Sequence, residues 1–286
     1  MRGGKFVAMP RAALAQTAMP ATRKQPMVAS APRLVPAVER AVRVLDALSA
    51  AGQPLSLADL ARALALPRSS LHGLLATLVH LDLARRDDHA CFRPGARPVQ
   101  WAGAWNAQAE VVASFQRQAH ALAALERETV MLAALDGHEV VYLDCRPGQR
   151  SLEINFRVGG RLPAAIASSG KAMLASLTDP QIRERLTGHP FERVTRHSVA
   201  SMAALLRQLR TVRETGYAVD DEEAAQGMLC LGAAVNAHDP HSAALPAAGH
   251  AVAVSVIKAG LSARRRKELE QAIRALAAAI TQDLRG

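Results

Sequence analysis

Residues Ser56–Arg86 read SLADLARALALPRSSLHGLLATLVHLDLARR, two short amphipathic segments joined by a tight turn. Ser56 is placed to N-cap the first, and Asp59, three residues on, puts a carboxylate at the positive end of that helix. Leu57, Leu60, Ala61 and Leu64 follow at helical spacing. A second helix is expected to open at Pro67, whose missing N–H is no loss at a first helical position. Its apolar stripe is Leu71, Leu74, Leu75, Leu78 and Val79. Arg68, Ser69, Ser70 and His72 are left for solvent, short polar and cationic groups able to bond base edges and phosphates. Taken alone, the segment suits an ordinary helical hairpin with a solvated face equally well.

Its flanks favour the nucleic-acid reading. Upstream, Val38, Ala41, Val42, Leu45 and Leu48 form another apolar stripe that stops at Gly52. Downstream, Leu81–Arg86, a polar Asp87-Asp88-His89 tip and Ala90–Arg93 read as a β-hairpin. Three helices and a small hairpin make a winged helix-turn-helix. Arg85, Arg86 and Arg93 on the wing would then follow the backbone of a duplex whose major groove takes the second helix of the pair.

Charge is distributed to match. The chain has 286 residues, half of them apolar, and a formal net charge of +10. Residues 1–97 hold 14 Lys and Arg against 6 Asp and Glu, while 98–286 hold 21 against 19. A polyanion is therefore expected at the N-terminal end. Six of those 14 cations lie in residues 1–35, a stretch without acidic residues. It reads as a disordered basic tail or a start assigned too early, and its prolines argue against a transit peptide. Cys91, Cys145 and Cys230 are odd in number and widely spaced, which predicts free thiols, no structural zinc and a reducing cytoplasm. No run of about 18 apolar residues exists, so no membrane span is expected.

The expected organisation is a tail (1–35), the winged helix-turn-helix (36–97), a linker helix (98–127) and a second domain (128–286). The linker, apolar at Trp101, Val111, Val112, Phe115, Leu122 and Leu125, could pair with a second subunit or simply open the second domain. From Thr129 the period changes to strand: TVMLAAL, an Asp-Gly-His turn and EVVYLDC form a hairpin. Ser151–Val158, Met228–Val235 and Ala251–Ile257 read as further strands. Helices are expected over Ala164–Leu177, after the Thr178 cap, over Ser201–Thr215 and over Ala263–Leu284. Strands mixed with helices make this half an α+β sensor domain.

Four stretches, in this order, resemble the isocitrate lyase regulator (IclR) family of transcriptional regulators over residues 36–286. They are Leu66-Pro67-Arg68-Ser69-Ser70-Leu71-His72 with Leu74–Leu78, then Gly159–Pro163 followed by Ser169-Gly170-Lys171-Ala172-Met173-Leu174-Ala175, then Gly216–Glu223, then Gly227-Met228-Leu229-Cys230. The resemblance implies a winged helix-turn-helix joined by a linker helix to a GAF-like α/β effector domain. It implies homodimers or homotetramers on operator DNA, contacted by Arg68, Ser69, Ser70, His72, Thr77, Arg85, Arg86 and Arg93. It also implies an effector pocket with apolar walls from Ile154 and Leu162, Ser168 and Ser169 at a helix start, and Asp220, Met228, Cys230 and Ser255. A hydroxyl beside helix-start N–H groups suits a carboxylate, which makes a small organic or aromatic acid the expected effector. The same residues have plain structural readings: packing for Gly170 and Lys171, a cap for Asp220–Glu223, a small core residue for Cys230.

The chain departs from the family pattern at four places. Gly73 stands where the family usually has arginine, Ala65 where it has a turn glycine, and Ile257 where it has a second pocket hydroxyl; the segment 236–250 is long. Two other functions compete. One is an enzyme with Cys230 as nucleophile, Asp220 and a histidine as helpers; the other is a metal-sensing regulator using His238, Asp239, His241 and His250, with weak DNA affinity. No Gly-rich phosphate loop, nucleophile elbow or H-E-x-x-H stretch supports catalysis, and no cofactor or metal is expected.

Overall fold

Val44 and Leu48, one turn apart on the first helix, anchor the N-terminal core. The computed structural model describes residues 35–149, 156–235 and 249–285, without the side chains of 106–108. It divides into two units, Met1–Arg97 and Pro98–Gly286. The first unit runs α1 (Pro36–Ala50), β1 (Leu55–Ser56), α2 (Leu57–Leu64), α3 (Arg68–His80), β2 (Ala84–Arg86) and β3 (Cys91–Pro94). Val44, Leu48, Leu60, Leu71, Leu75, Leu78, Ala84 and Phe92 close its core.

The stripe on α1 is rotated from the expected one. Val38 and Val42 are 61% and 50% exposed, while Val44 is fully buried. Two apolar stripes overlap on this helix, and the one at 41, 44, 45 and 48 meets the core. On α3, Leu71, Leu75 and Leu78 are buried, Leu74 is half-buried and Val79 is exposed. Pro67 is the N-cap rather than the first helical residue; its carbonyl accepts from Leu71 N–H at 3.0 Å. The wing gains a strand that was not anticipated, with Leu55 opposite Phe92 and Ser56 opposite Cys91. Two residues are too few to show alternation.

In the second unit the expected single helix is two, α4 (Arg97–Gln108) and α5 (Glu110–Ala121), separated by extended backbone at Ala109 (φ −92°). A 3₁₀ turn follows at Ala123–Leu125. Then come β4 (Thr129–Asp136), β5 (Glu139–Arg146), β6 (Arg161–Pro163), α6 (Ser168–Leu174), α7 (Asp179–Arg185), α8 (Met202–Thr215), β7 (Ala218–Asp221), β8 (Met228–Val235), β9 (His250–Ile257) and α9 (Ala263–Asp283). The predicted hairpin β4–β5 and strands β8 and β9 are present. The short edge strands β6 and β7 were not predicted. The helix expected over 164–177 is reduced to α6, preceded by a turn. The expected strand over Ser151–Val158 falls mainly outside the described residues.

Six antiparallel strands in the order β6-β5-β4-β9-β8-β7 form one sheet. Alternation sorts its two faces. Val130, Leu132, Leu229, Leu231, Val254 and Val256 join a core with residues of α5 and α9. Met131, Ala133, Ala251 and Ala253 join a second core with residues of α6 and α8. Thr178 and Gln181 form a capping box on α7, Ser201 and Ser262 cap α8 and α9, and Gly216 ends α8 at φ 77°. None of the described helices is long and apolar enough to cross a membrane.

Candidate functional site

The helix pair is assembled as its sequence implies. Ser56 Oγ accepts from Asp59 N–H at 3.2 Å and donates to Asp59 Oδ2 at 2.6 Å. That hydroxyl and Arg62 hold the Asp59 carboxyl below its usual range. Ala65 closes α2 in the left-handed region at φ 53°, a conformation that favours glycine. Arg43 Nη2 on α1 donates to Leu64 O at 3.0 Å, which ties the turn down. Beyond the turn, Arg68, Ser69, Ser70, His72 and Thr77 are all exposed on α3. The hydroxyl of Thr77 donates back to Gly73 O at 3.0 Å.

On the wing, strand alternation divides the three arginines. Arg85 lies opposite Arg93, and Arg86 opposite Phe92. Arg85 and Arg93 therefore share one face, although Arg85 leans on Asp82 at 3.5 Å. Arg86 is on the other face, its guanidinium 5.9 Å from the centre of the Phe92 ring.

In the second unit register makes a polar row. Asp220 on β7 faces Cys230 on β8, Cys230 faces Ser255 on β9, and Ser255 faces Thr129 on β4. All four are buried. Cys230 Sγ and Ser255 Oγ are 3.0 Å apart. Met228 and Gly232 flank Cys230 on the same face of β8. At Gly232 a Cβ would stand 2.6 Å from the Ser168 backbone, so the glycine lets the start of α6 lie directly on the sheet. Gly170 likewise presses α6 onto the Ala164 backbone. Ser168 and Ser169 are thereby buried beside the row, and Ser169 Oγ has no hydrogen-bond partner among the described residues. Leu162 stands apart on β6, three strands from β9, or about 14 Å at ordinary strand spacing. Ile154 lies outside the described residues.

Burial raises the Asp220 carboxyl to about 6, against the pull of N–H groups from Ala224 and Glu223 and of Lys171. Burial also pushes the Cys230 thiol up, and neighbouring Asp220 adds to that. Sequence reasoning missed the network behind Asp220. Lys171 is fully buried; its Nζ pairs with Glu223 Oε1 and donates to Val219 O at 2.9 Å. Glu223 also accepts from Gln208 Nε2 at 3.1 Å and Val199 N–H at 3.2 Å, and its own N–H donates to Asp220 Oδ1 at 2.7 Å. Gly170-Lys171 and the cap-like run Asp220–Glu223 were the signals, and their pairing across 52 residues is invisible to local pattern.

A helix-turn-helix with a wing, followed by a six-stranded sheet holding a buried polar row, can be compared with known proteins. Residues 37–88 match the IclR helix-turn-helix domain, and residues 105–282 match the domain described as bacterial transcriptional regulator IclR C-terminal. The chain belongs to the IclR family of transcriptional regulators. It is similar to the HTH-type transcriptional regulator XynR of Escherichia coli (strain K12), 29% identical over 248 residues that cover 86% of this chain and 98% of that protein. The crystal structure of the repressor BlcR of Agrobacterium tumefaciens is 34% identical, with a TM-score of 0.56, covering 88% of this chain and 98% of that one. An IclR homologue from Microbacterium hydrocarbonoxydans, solved with 4-hydroxybenzoate, shares the fold at a TM-score of 0.68 and 24% identity, covering 87% and 99%. The IclR regulator described here thus has both family domains in the expected order.

Proposed function

We propose that this IclR-family regulator reads operator DNA with α3 and is controlled by a small organic acid held against the row Asp220–Cys230–Ser255. The observation that carries the effector site is Ser169 Oγ, buried beside that row without a partner. An unsatisfied buried hydroxyl costs about 1–3 kcal/mol, and a ligand carboxylate would supply its acceptor. Asp220 at the other end of the row favours a ligand that also bears a hydroxyl. The homologue bound to 4-hydroxybenzoate, which has both groups, supports this choice. Met228, beside Cys230 on the same face of β8, belongs to its apolar side; Leu162, three strands from β9, is left out of the proposed wall.

Cys230 does not act as a nucleophile in this reading. Its thiol is pushed away from ionisation and shares its hydrogen bond with Ser255, the reverse of an activated cysteine. Of the metal-sensing alternative, His238, Asp239 and His241 lie outside the described residues. Self-association as a homodimer or homotetramer is proposed through α4, where Trp101 and Trp105 are 57% and 49% exposed.

Two measurements test the function. Retardation of DNA from the gene's own upstream region should weaken steeply with salt. Arg68→Ala should weaken specific retardation more than non-specific, and Arg93→Ala both. Absence of sequence-specific retardation at low salt overturns the regulator reading for α3. For the effector, a panel of carboxylic acids scored by thermal shift should raise the midpoint of wild type with at least one member. Ser169→Ala should reduce that response and Ser169→Phe abolish it.

A further inference from the structure

A cleft of about 300 Å³ runs along the free edge of β7, between that strand, α8 and the start of α9. Its volume is at the lower end of small-molecule sites. Lys171, Gln208, Thr211, Tyr217, Val219 and Asp221 are among its lining residues, whereas Ser169, Cys230 and Ser255 are not. It is therefore separate from the polar row.

The strand edge presents donors with little to accept in return. Ala218 and Asp220 face β8, and Glu222 N–H donates to Met228 O at 2.9 Å. Alternation then turns the backbone groups of Tyr217, Val219 and Asp221 outward. Two of the outward carbonyls are taken: Val219 O accepts from Lys171 Nζ, and Tyr217 O from Thr215 Oγ1 at 3.1 Å. The N–H groups of Val219 and Asp221 have no partner among the described residues. An added peptide strand needs both kinds of group, so this edge is blunted against strand addition while it keeps two donors. The opposite wall supplies an acceptor. Gln208 gives Nε2 to Glu223, which leaves its Oε1 buried without a partner.

Charge in the walls is already matched. Lys171 pairs with Glu223, Asp221 with Lys258 at 2.7 Å, and Arg266 with Glu270 at 3.0 Å. A charged ligand would find no unpaired partner here and would lose its hydration. We propose that this cleft is a second small-molecule site, taking a neutral ligand whose hydroxyl or carboxamide groups both accept from the β7 edge and donate to Gln208. Such a ligand would touch Lys171, two residues from Ser169 on α6.

Ligand-observed saturation-transfer NMR on the full chain tests this. The probes are xylitol and glucose for hydroxyls, nicotinamide for a carboxamide, and gluconate and glucosamine as charged counterparts. At least one neutral probe should bind with a dissociation constant in the range of about 1 mM, and which arm responds identifies the group. Thr211→Phe, on the exposed face of α8, and Gln208→Leu should each weaken binding about tenfold, with thermal unfolding as the check on folding. Ser169→Ala, which removes only the unpartnered hydroxyl beside the separate polar row, should leave it unchanged. No binding by any neutral probe at about 10 mM overturns the proposal. Equal binding by the charged counterparts, or loss in the Ser169 variant with retention in both cleft variants, overturns it too. None of these outcomes bears on whether an acid occupies the polar row.

Discussion

Gly73 sits inside α3 with nothing within 4 Å of where a Cβ would be. Glycine there costs helix stability and no neighbour requires it. Gly73→Ala should therefore stabilise the chain by about 1 kcal/mol, read as a shift of the urea midpoint without a change of slope. Gly73→Arg should add a cation to the same exposed face and tighten DNA binding in a salt-dependent way. Asp220 gives a second test at this scale. Its carboxyl is raised to about 6 in the folded protein, from an ordinary 3.8. Between those values the folded chain keeps a proton that the unfolded chain has released. The contribution of Asp220 therefore favours folding at low pH and is lost as pH rises through about 6, by up to about 3 kcal/mol. Asp220→Asn retains an acceptor for the Glu223 and Ala224 N–H groups. Its thermal midpoint minus that of wild type should climb from about pH 4 to 7 and then level off; a pH-independent difference would refute the assignment.

At the scale of elements, α6 is held by two unlike devices. Glycines at 170 and 232 remove the Cβ atoms that would push it off the turn and the sheet. Lys171 then crosses to Glu223 under α8. Removing one partner of a buried pair costs about 3–5 kcal/mol, because the other charge is left uncompensated. Lys171→Met should lose that much by chemical denaturation, and Lys171→Met combined with Glu223→Gln should recover part of it. Gly232→Ala should cost about 1–3 kcal/mol through overpacking against Ser168. These contacts also mark where sequence reading stops. The capped helices, the Asp-Gly hairpin and strands β8 and β9 were legible, because caps and alternation are local. The α1 stripe was misjudged because Val38 and Val42, both exposed, mimic part of a core-facing row. The row of Asp220, Cys230 and Ser255 was named only through resemblance; its alignment depends on the register of strands far apart in the chain, which no local spacing encodes.

Over the whole molecule, two units with separate cores are joined in sequence at Arg97–Pro98, where α4 begins. That helix leaves Val99 72% exposed along with its two tryptophans, more large apolar surface than a short solvated helix ordinarily shows. Trp101→Ser with Trp105→Ser should shift the chain toward monomer in sedimentation velocity, with no loss of secondary structure by circular dichroism. An unchanged sedimentation profile would remove α4 from the assembly.

One consequence of the sheet reaches past any single ligand. Cys230 and Ser255 alternate along their strands with Leu229, Leu231, Val254 and Val256, which belong to the opposite face. Chemistry and mechanical support are thus written on opposite sides of the same strands. For the effector site proposed above, exchanging Cys230 or Ser255 for another small residue should therefore alter which acids bind while the far-side packing stays intact, so altered ligand preference lies a few conservative substitutions away.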